Sequence, residues 1–195
     1  MEAVHDAIVL AGGSGRRLGG VDKATLTVAG RSLLDRALEA VDRAGQIVVV
    51  GPVDVPRRVR QVVEDPPGGG PVAGLVAGMT ALADGREPAE WVAVVAVDQP
   101  AAAEALAPLL SAAGQPKCRT DGFCQEDAGG HPQWLLAVYR RESLARALEP
   151  VGTGHGVSVR QLVSELNLAR IREGAASVGD IDTWEDHQHW EERLG

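Results

Sequence analysis

A chain of 195 residues with 45% hydrophobic and 24% charged side chains can bury one full core, so one domain spanning residues 1–195 is expected. Its formal net charge of −8 argues against a nucleic-acid partner, which requires a basic face to replace condensed counterions. No apolar run approaches the ~18 residues of a membrane span, and the start, Met1-Glu-Ala-Val-His-Asp6, is acidic where a leader would be basic. A cytoplasmic protein with no membrane partner is expected, and there Cys118 and Cys124 read as ordinary thiols.

The first element, Ala7-Ile-Val-Leu-Ala11, is short, apolar and β-branched enough for a buried parallel strand, and it stops at paired glycines and a cationic loop. Gly12, Gly13 and Gly15 permit positive φ and close approach of backbone N–H groups to an anion, while Arg16, Arg17 and Lys23 supply charge. Such a loop suits a polyphosphate; the plainer reading is a glycine-rich turn with solvated arginines. It is not a Walker A loop, because Lys23 lies between Asp22 and Ala24, and a dinucleotide fingerprint from Gly13 and Gly15 fails at Leu18.

The stretch Leu10-Ala-Gly-Gly-Ser-Gly-Arg-Arg-Leu-Gly-Gly-Val-Asp-Lys23 resembles the signature loop of the molybdenum cofactor guanylyltransferases, the MobA-like branch of the nucleotidyltransferases. The resemblance implies that Leu10, Ala11, Gly12 and Gly13 bind the nucleotide, that loop amides and Arg17 hold its β- and γ-phosphates, and that Lys23 follows charge on the α-phosphate.

Farther along, Ser32 with Asp35 reads as a helix start, and Leu33, Leu34, Ala37, Leu38 and Val41 recur at helical spacing. Gln46–Val50 is a second buried strand, making that helix a crossover in a parallel sheet. Arg60–Glu64 reads as a third strand, before Asp65-Pro-Pro-Gly-Gly-Gly-Pro71 and an apolar helix to about Ala83. By itself Asp65 opens a Pro/Gly loop; by resemblance it is the nucleotide-contacting aspartate. Trp91–Val97 is the most apolar run, a central strand ending in Asp98-Gln-Pro100. A carboxylate there lies in the crevice where open α/β sheets bind ligands. By resemblance Asp98 binds magnesium; the alternative is a cap for the helix from about Ala101.

Cys118–Asp121 is a candidate strand, and Trp134–Tyr139 is another, followed by a helix from Arg141 to Glu149. His131, in Gly130-His-Pro132, is a turn histidine or, by resemblance, a contact to the pterin acceptor. The chain from Gly156 through Arg160 continues as an amphipathic helix to about Leu166, and Leu168–Ile171 is the last strand. Arg160 reads as a solvated residue or, by resemblance, a contact to the acceptor phosphate. Asp180-Ile-Asp182-Thr-Trp-Glu-Asp186 is similar to the family's Asn-x-Asn-Thr-Pro-Glu-Asp element. Asp182 is thus a candidate second magnesium ligand, while Thr183 with Asp186 also makes a helix start. His187 and His189 fall on different helix faces and are not a metal pair.

Alternating strands and helices imply a three-layer α/β/α, Rossmann-like fold with a mostly parallel sheet. The resemblance adds one antiparallel strand in its second half, as in the nucleotide-diphospho-sugar transferases. It also implies the reaction: GMP passes from GTP to the terminal phosphate of molybdopterin or its metallated form, with Mg2+ held by Asp98 and Asp182. Contact with other cofactor-biosynthesis proteins or molybdoenzymes would be transient. The alternatives are cytidylyl transfer on the same scaffold, or a nucleotide-sensing module without chemistry.

Overall fold

The computed structural model describes residues 2–12, 14–15, 18–84, 87–116, 118–172 and 178–195. Its main sheet has seven strands: β1 (His5–Leu10), β2 (Ile47–Val50), β3 (Arg60–Val62), β4 (Trp91–Ala96), β5 (Gly122–Glu126), β6 (Pro132–Arg140) and β7 (Leu168–Ile171), in the order β7-β5-β6-β4-β1-β2-β3. β1 lies in parallel register with β2 on one side (Ala7 opposite Ile47) and with β4 on the other (His5 opposite Trp91). Only β6 among these strands runs against its neighbours, pairing antiparallel with both β4 and β5. The mostly parallel fold with one antiparallel strand is therefore as expected. Every residue of β1 is buried, which is why its Ala7–Leu10 part reads as a continuous apolar run rather than an alternation.

Helices cover both faces. On one side α1 (Leu33–Ala40), α3 (Ala102–Ala113) and the C-terminal α6 (Trp184–Leu194) bury Leu33, Leu38, Leu106, Leu109 and Trp190 in one core. On the other, α2 (Pro71–Ala83), α4 (Arg141–Leu148) and the short α5 (Val159–Leu162) close a second core around Ile8, Leu75, Tyr139 and Leu144. α2 lies tight on β1 because Gly78 has no side chain; a Cβ there would stand 2.8 Å from Ile8 Cγ2. Ser32 caps α1 by accepting from the Asp35 amide at 3.0 Å. No helix among the described residues is long and apolar enough to cross a membrane.

Two elements differ from expectation. The strand falls at Gly122–Glu126 rather than at Cys118–Asp121. Arg140 pins the earlier segment as a loop by donating to the Cys118 and Thr120 carbonyls, and the real strand hides two polar residues in the interior: Gln125, which donates to the Ala105 carbonyl at 2.5 Å, and Glu126, which meets Arg172. The helix expected from Gly156 to Leu166 is a single turn after its Ser158 cap, and the Ser164 hydroxyl takes up the Gln161 carbonyl at 2.8 Å.

Asp121 is the joint of this half. Its carboxylate accepts from the Ser143 hydroxyl of α4 at 2.5 Å and from the Asn167 amide ahead of β7 at 2.8 Å, and the Ser143 bond first, then Asn167, holds it below the usual carboxylate range. Asp121→Ala should cost about 1.5–3 kcal/mol at neutral pH, the usual range for hydrogen bonds to a charged group. Because the folded pKa is depressed, this stabilisation is complete above the ordinary carboxylate pKa and fades as pH falls through the folded value. Melting curves of wild type and variant should therefore converge in acid; a difference constant down to pH 2 would contradict the assignment.

Candidate active site

The site grows from the C-terminal end of β1. There Ala11 N donates to Val50 O at 2.8 Å and Val97 N donates to Leu10 O at 2.9 Å, so the root of the glycine loop is fixed from both flanking strands. Gly51 fits against this root with a φ of 149°, and a Cβ on it would stand 2.6 Å from Ala11 O. Gly12 faces the opposite situation, since a Cβ there would meet none of the described residues within 4 Å. Among the described residues of the loop, the left-handed backbone falls at Gly19 and Gly20 (φ 76° and 83°) rather than at Gly12. Leu18, the residue that broke the dinucleotide fingerprint, is buried and anchors the loop in the core. Gly13, Arg16 and Arg17 lie outside the described residues.

Ser14–Gly15 pairs with Val21–Asp22, and Asp22 then caps a single 3-10 turn over Lys23–Thr25 by accepting from the Ala24 amide at 3.0 Å. This aims Lys23 at two acids distant in sequence. Its Nζ is 3.0 Å from Asp98 Oδ2 and 2.6 Å from Asp182 Oδ1. Asp98 follows β4 and does not cap the next helix: α3 has Ala101 at its N-cap, without a side-chain bond. Asp182 is likewise not the cap of α6. Thr183 and Asp186 form a reciprocal capping box, leaving the Asp182 carboxylate to Lys23.

The segment carrying Asp182 is registered on the strand that carries Asp98, because Ile181 N donates to Asp98 O at 3.0 Å and the Ile181 side chain is fully buried. With Ile181 turned inward, Asp180 and Asp182 face the other way together. Asp98, Asp180 and Asp182 each offer an oxygen within 4.8 Å of the others. α6 fastens the lysine side of the site, as His187 bonds Thr27 O at 2.8 Å and Glu191 accepts from the Ala29 amide at 3.1 Å. Burial works against the Lys23 ammonium, but Asp98 and Asp182 outweigh it and raise its pKa. Partial burial, then the charge of Asp98, pushes the Asp180 carboxyl above its ordinary value.

Such a cationic side chain held among carboxylates, beside a glycine loop at the open edge of a parallel sheet, suits binding of a phosphorylated ligand with a hard cation. Residues 7–170 match the family described as the MobA-like NTP transferase domain. The chain belongs to this family. It is 44% identical over 114 residues to a molybdenum cofactor guanylyltransferase of Acidiphilium cryptum, covering 55% of this chain and 57% of that protein. A protein of the same name from Cereibacter sphaeroides is 35% identical over 141 residues, 67% of this chain and 69% of its own length. The fold is shared with the crystal structure of molybdopterin-guanine dinucleotide biosynthesis protein A from Archaeoglobus fulgidus, with a TM-score of 0.69 at 22% identity over 97% of this chain and 98% of that one.

Of the other residues expected in this MobA-like site, Asp65 is exposed just past β3, with a cis Asp65–Pro66 peptide, on a groove of about 370 Å³ that Val62, Val76, Thr80 and Thr153 also line. β3 is three strands from β4, so Asp65 and Asp98 start from strand ends on the order of 14 Å apart along the sheet edge. His131 occupies the β5–β6 turn on the opposite flank, exposed, with its ring 3.3 Å from Asp127. Arg160 is exposed on α5, a turn packed against α2. Neither joins the Lys23 contacts. The residue the sequence reading missed is Asp180. An apolar residue between two acids in an extended segment was its signal, because alternation sends Ile181 inward and both acids outward.

Gly51→Ala tests the root of the loop. The added methyl must displace the Ala11 carbonyl, an overpacking that costs about 1–3 kcal/mol. The variant should melt lower and bind nucleotide more weakly than wild type in calorimetric titration; unchanged nucleotide affinity would show that the loop does not depend on this contact.

Proposed function

We propose that the chain transfers GMP from GTP to the terminal phosphate of molybdopterin and releases pyrophosphate. The observation that carries this reading is Lys23, at the end of the glycine loop that follows β1, held between Asp98 and Asp182. The names of the curated relatives support guanylyl transfer in particular.

An oxygen of the acceptor phosphate attacks the α-phosphorus of GTP, and the bond to the β-phosphate's bridging oxygen breaks, so pyrophosphate leaves with that electron pair. Such a displacement depends mainly on positioning and on neutralising charge at phosphate oxygens. Lys23 follows the α-phosphate as its charge shifts, Arg17 and loop amides hold the β- and γ-phosphates, and Gly12 lets the nucleotide lie against the backbone. Asp65 takes the base end, and the distance between the β3 and β4 ends suits an extended nucleoside triphosphate. His131 and Arg160 are assigned to the acceptor. The donor set fits a hard divalent cation, since Asp98, Asp180 and Asp182 converge within 4.8 Å. Asp98 and Asp182 would hold magnesium, which when bound supplies Lewis-acid neutralisation of the α-phosphate.

The test is pyrophosphate release with molybdopterin and each of the four nucleoside triphosphates. GTP should be preferred by at least tenfold in kcat/KM. Equal use of CTP would move the protein to cytidylyl transfer, and binding of GTP with no pyrophosphate from any pairing would leave a nucleotide sensor.

A further inference from the structure

Lys23 occupies the position that a cation ligated by Asp98 and Asp182 would require. Its Nζ lies 3.0 Å from one carboxylate oxygen and 2.6 Å from the other, and the third acid, Asp180, completes a group whose oxygens lie within 4.8 Å of one another. Magnesium needs its oxygens at about 2.0–2.1 Å in near-octahedral array. An ammonium bonded to one oxygen of Asp98 and one of Asp182 takes a lone pair from each and repels a divalent charge at contact range. The ammonium therefore opposes a divalent cation at this pair of acids.

The backbone of Lys23 is fixed by the Asp22 cap, and the chain just beyond it is held by α6 through Thr27 and Ala29. What can move is the lysine side chain, which has four rotatable bonds. The 3-10 turn starts where the ladder of the glycine loop ends, at Asp22. A polyphosphate bound by that loop would give the ammonium another anionic partner.

We infer that Lys23 and a divalent cation compete for the Asp98–Asp182 pair, so that the cation binds only once an anionic ligand has drawn the lysine away, and that Asp180 is the third ligand of the vacated site. Metal then enters with the triphosphate, not before it. Without metal, Lys23 keeps three neighbouring acids from repelling the Asp180–Asp182 segment off β4. This rests on the reading of Asp98 and Asp182 as cation ligands.

The experiment is a Mn2+ titration of nucleotide-free full-length protein, followed by electron paramagnetic resonance, with thermal melting in parallel. Wild type should bind Mn2+ weakly and gain little in Tm from it. Lys23→Met should bind at least tenfold more tightly, melt lower than wild type in chelator, and recover on adding Mn2+. Adding Asp180→Asn to Lys23→Met should return most of the gained affinity. Lys23→Gln, which keeps a neutral donor of similar length, is the replacement if the methionine variant does not fold. Equal affinities in wild type and either lysine variant, tight Mn2+ binding by nucleotide-free wild type, or no Mn2+ binding by any variant would overturn the inference. Loss of GTP preference in the pyrophosphate assay would remove guanylyl transfer and leave this titration standing. Equal Mn2+ affinities would remove the competition and leave guanylyl transfer untouched.

Discussion

The contact of Lys23 with Asp98 and Asp182 joins three parts of the chain that are 75 and 159 residues apart, and the rest of the site is arranged to keep it. Three carboxylates in one place repel each other, and the desolvation of partly buried charges adds to the cost unless a partner neutralises them. The ammonium supplies that partner. The scaffold supplies its position: the cap at Asp22, the Ile181 amide on the Asp98 carbonyl, the buried Ile181 side chain, and the capping box of α6.

The location follows from topology. β1 lies between β2, reached through α1 on one face, and β4, which follows α2 on the other. That reversal of winding leaves a crevice beyond the C-terminal ends of β1 and β4, where open α/β sheets bind their ligands. The glycine loop leaves β1 there, Asp98 leaves β4 there, and the β5–β6 turn with His131 lies on the same edge because β5 runs with the parallel set. The antiparallel β6 sends α4 off from the opposite edge, where Arg141 pairs with the buried Asp6 of β1, and so keeps that helix start away from the site.

Much of this was legible in the sequence wherever one physical rule dominated. Ala7–Leu10 of β1 and all of β4 are apolar because both faces are covered, and Ser32–Asp35 and Thr183–Asp186 announce their helices by capping chemistry. Gly122–Glu126 was not legible, because Gln125 and Glu126 are buried through partners on α3 and beyond β7 that no local pattern reveals. α5 was too long in the sequence reading, because Ser164 turns back on its own backbone and ends the helix early. At the site, Lys23, Asp98 and Asp182 came from a motif and its resemblance, but their mutual contact is a product of tertiary packing. Gly51 carries no signal of its own in the sequence; its approach to the Ala11 carbonyl explains why no larger residue fits.

A crystal structure with magnesium and a GTP analogue that cannot be cleaved between its α- and β-phosphates would test the site as a whole. The triphosphate should lie over Gly12 and the loop, the cation should be bound to Asp98 and Asp182, and the Lys23 ammonium should have moved from both acids onto a phosphate oxygen. A triphosphate seated away from Lys23, for instance in the groove beside β3, or a lysine still bridging Asp98 and Asp182 with metal and nucleotide present, would contradict this arrangement.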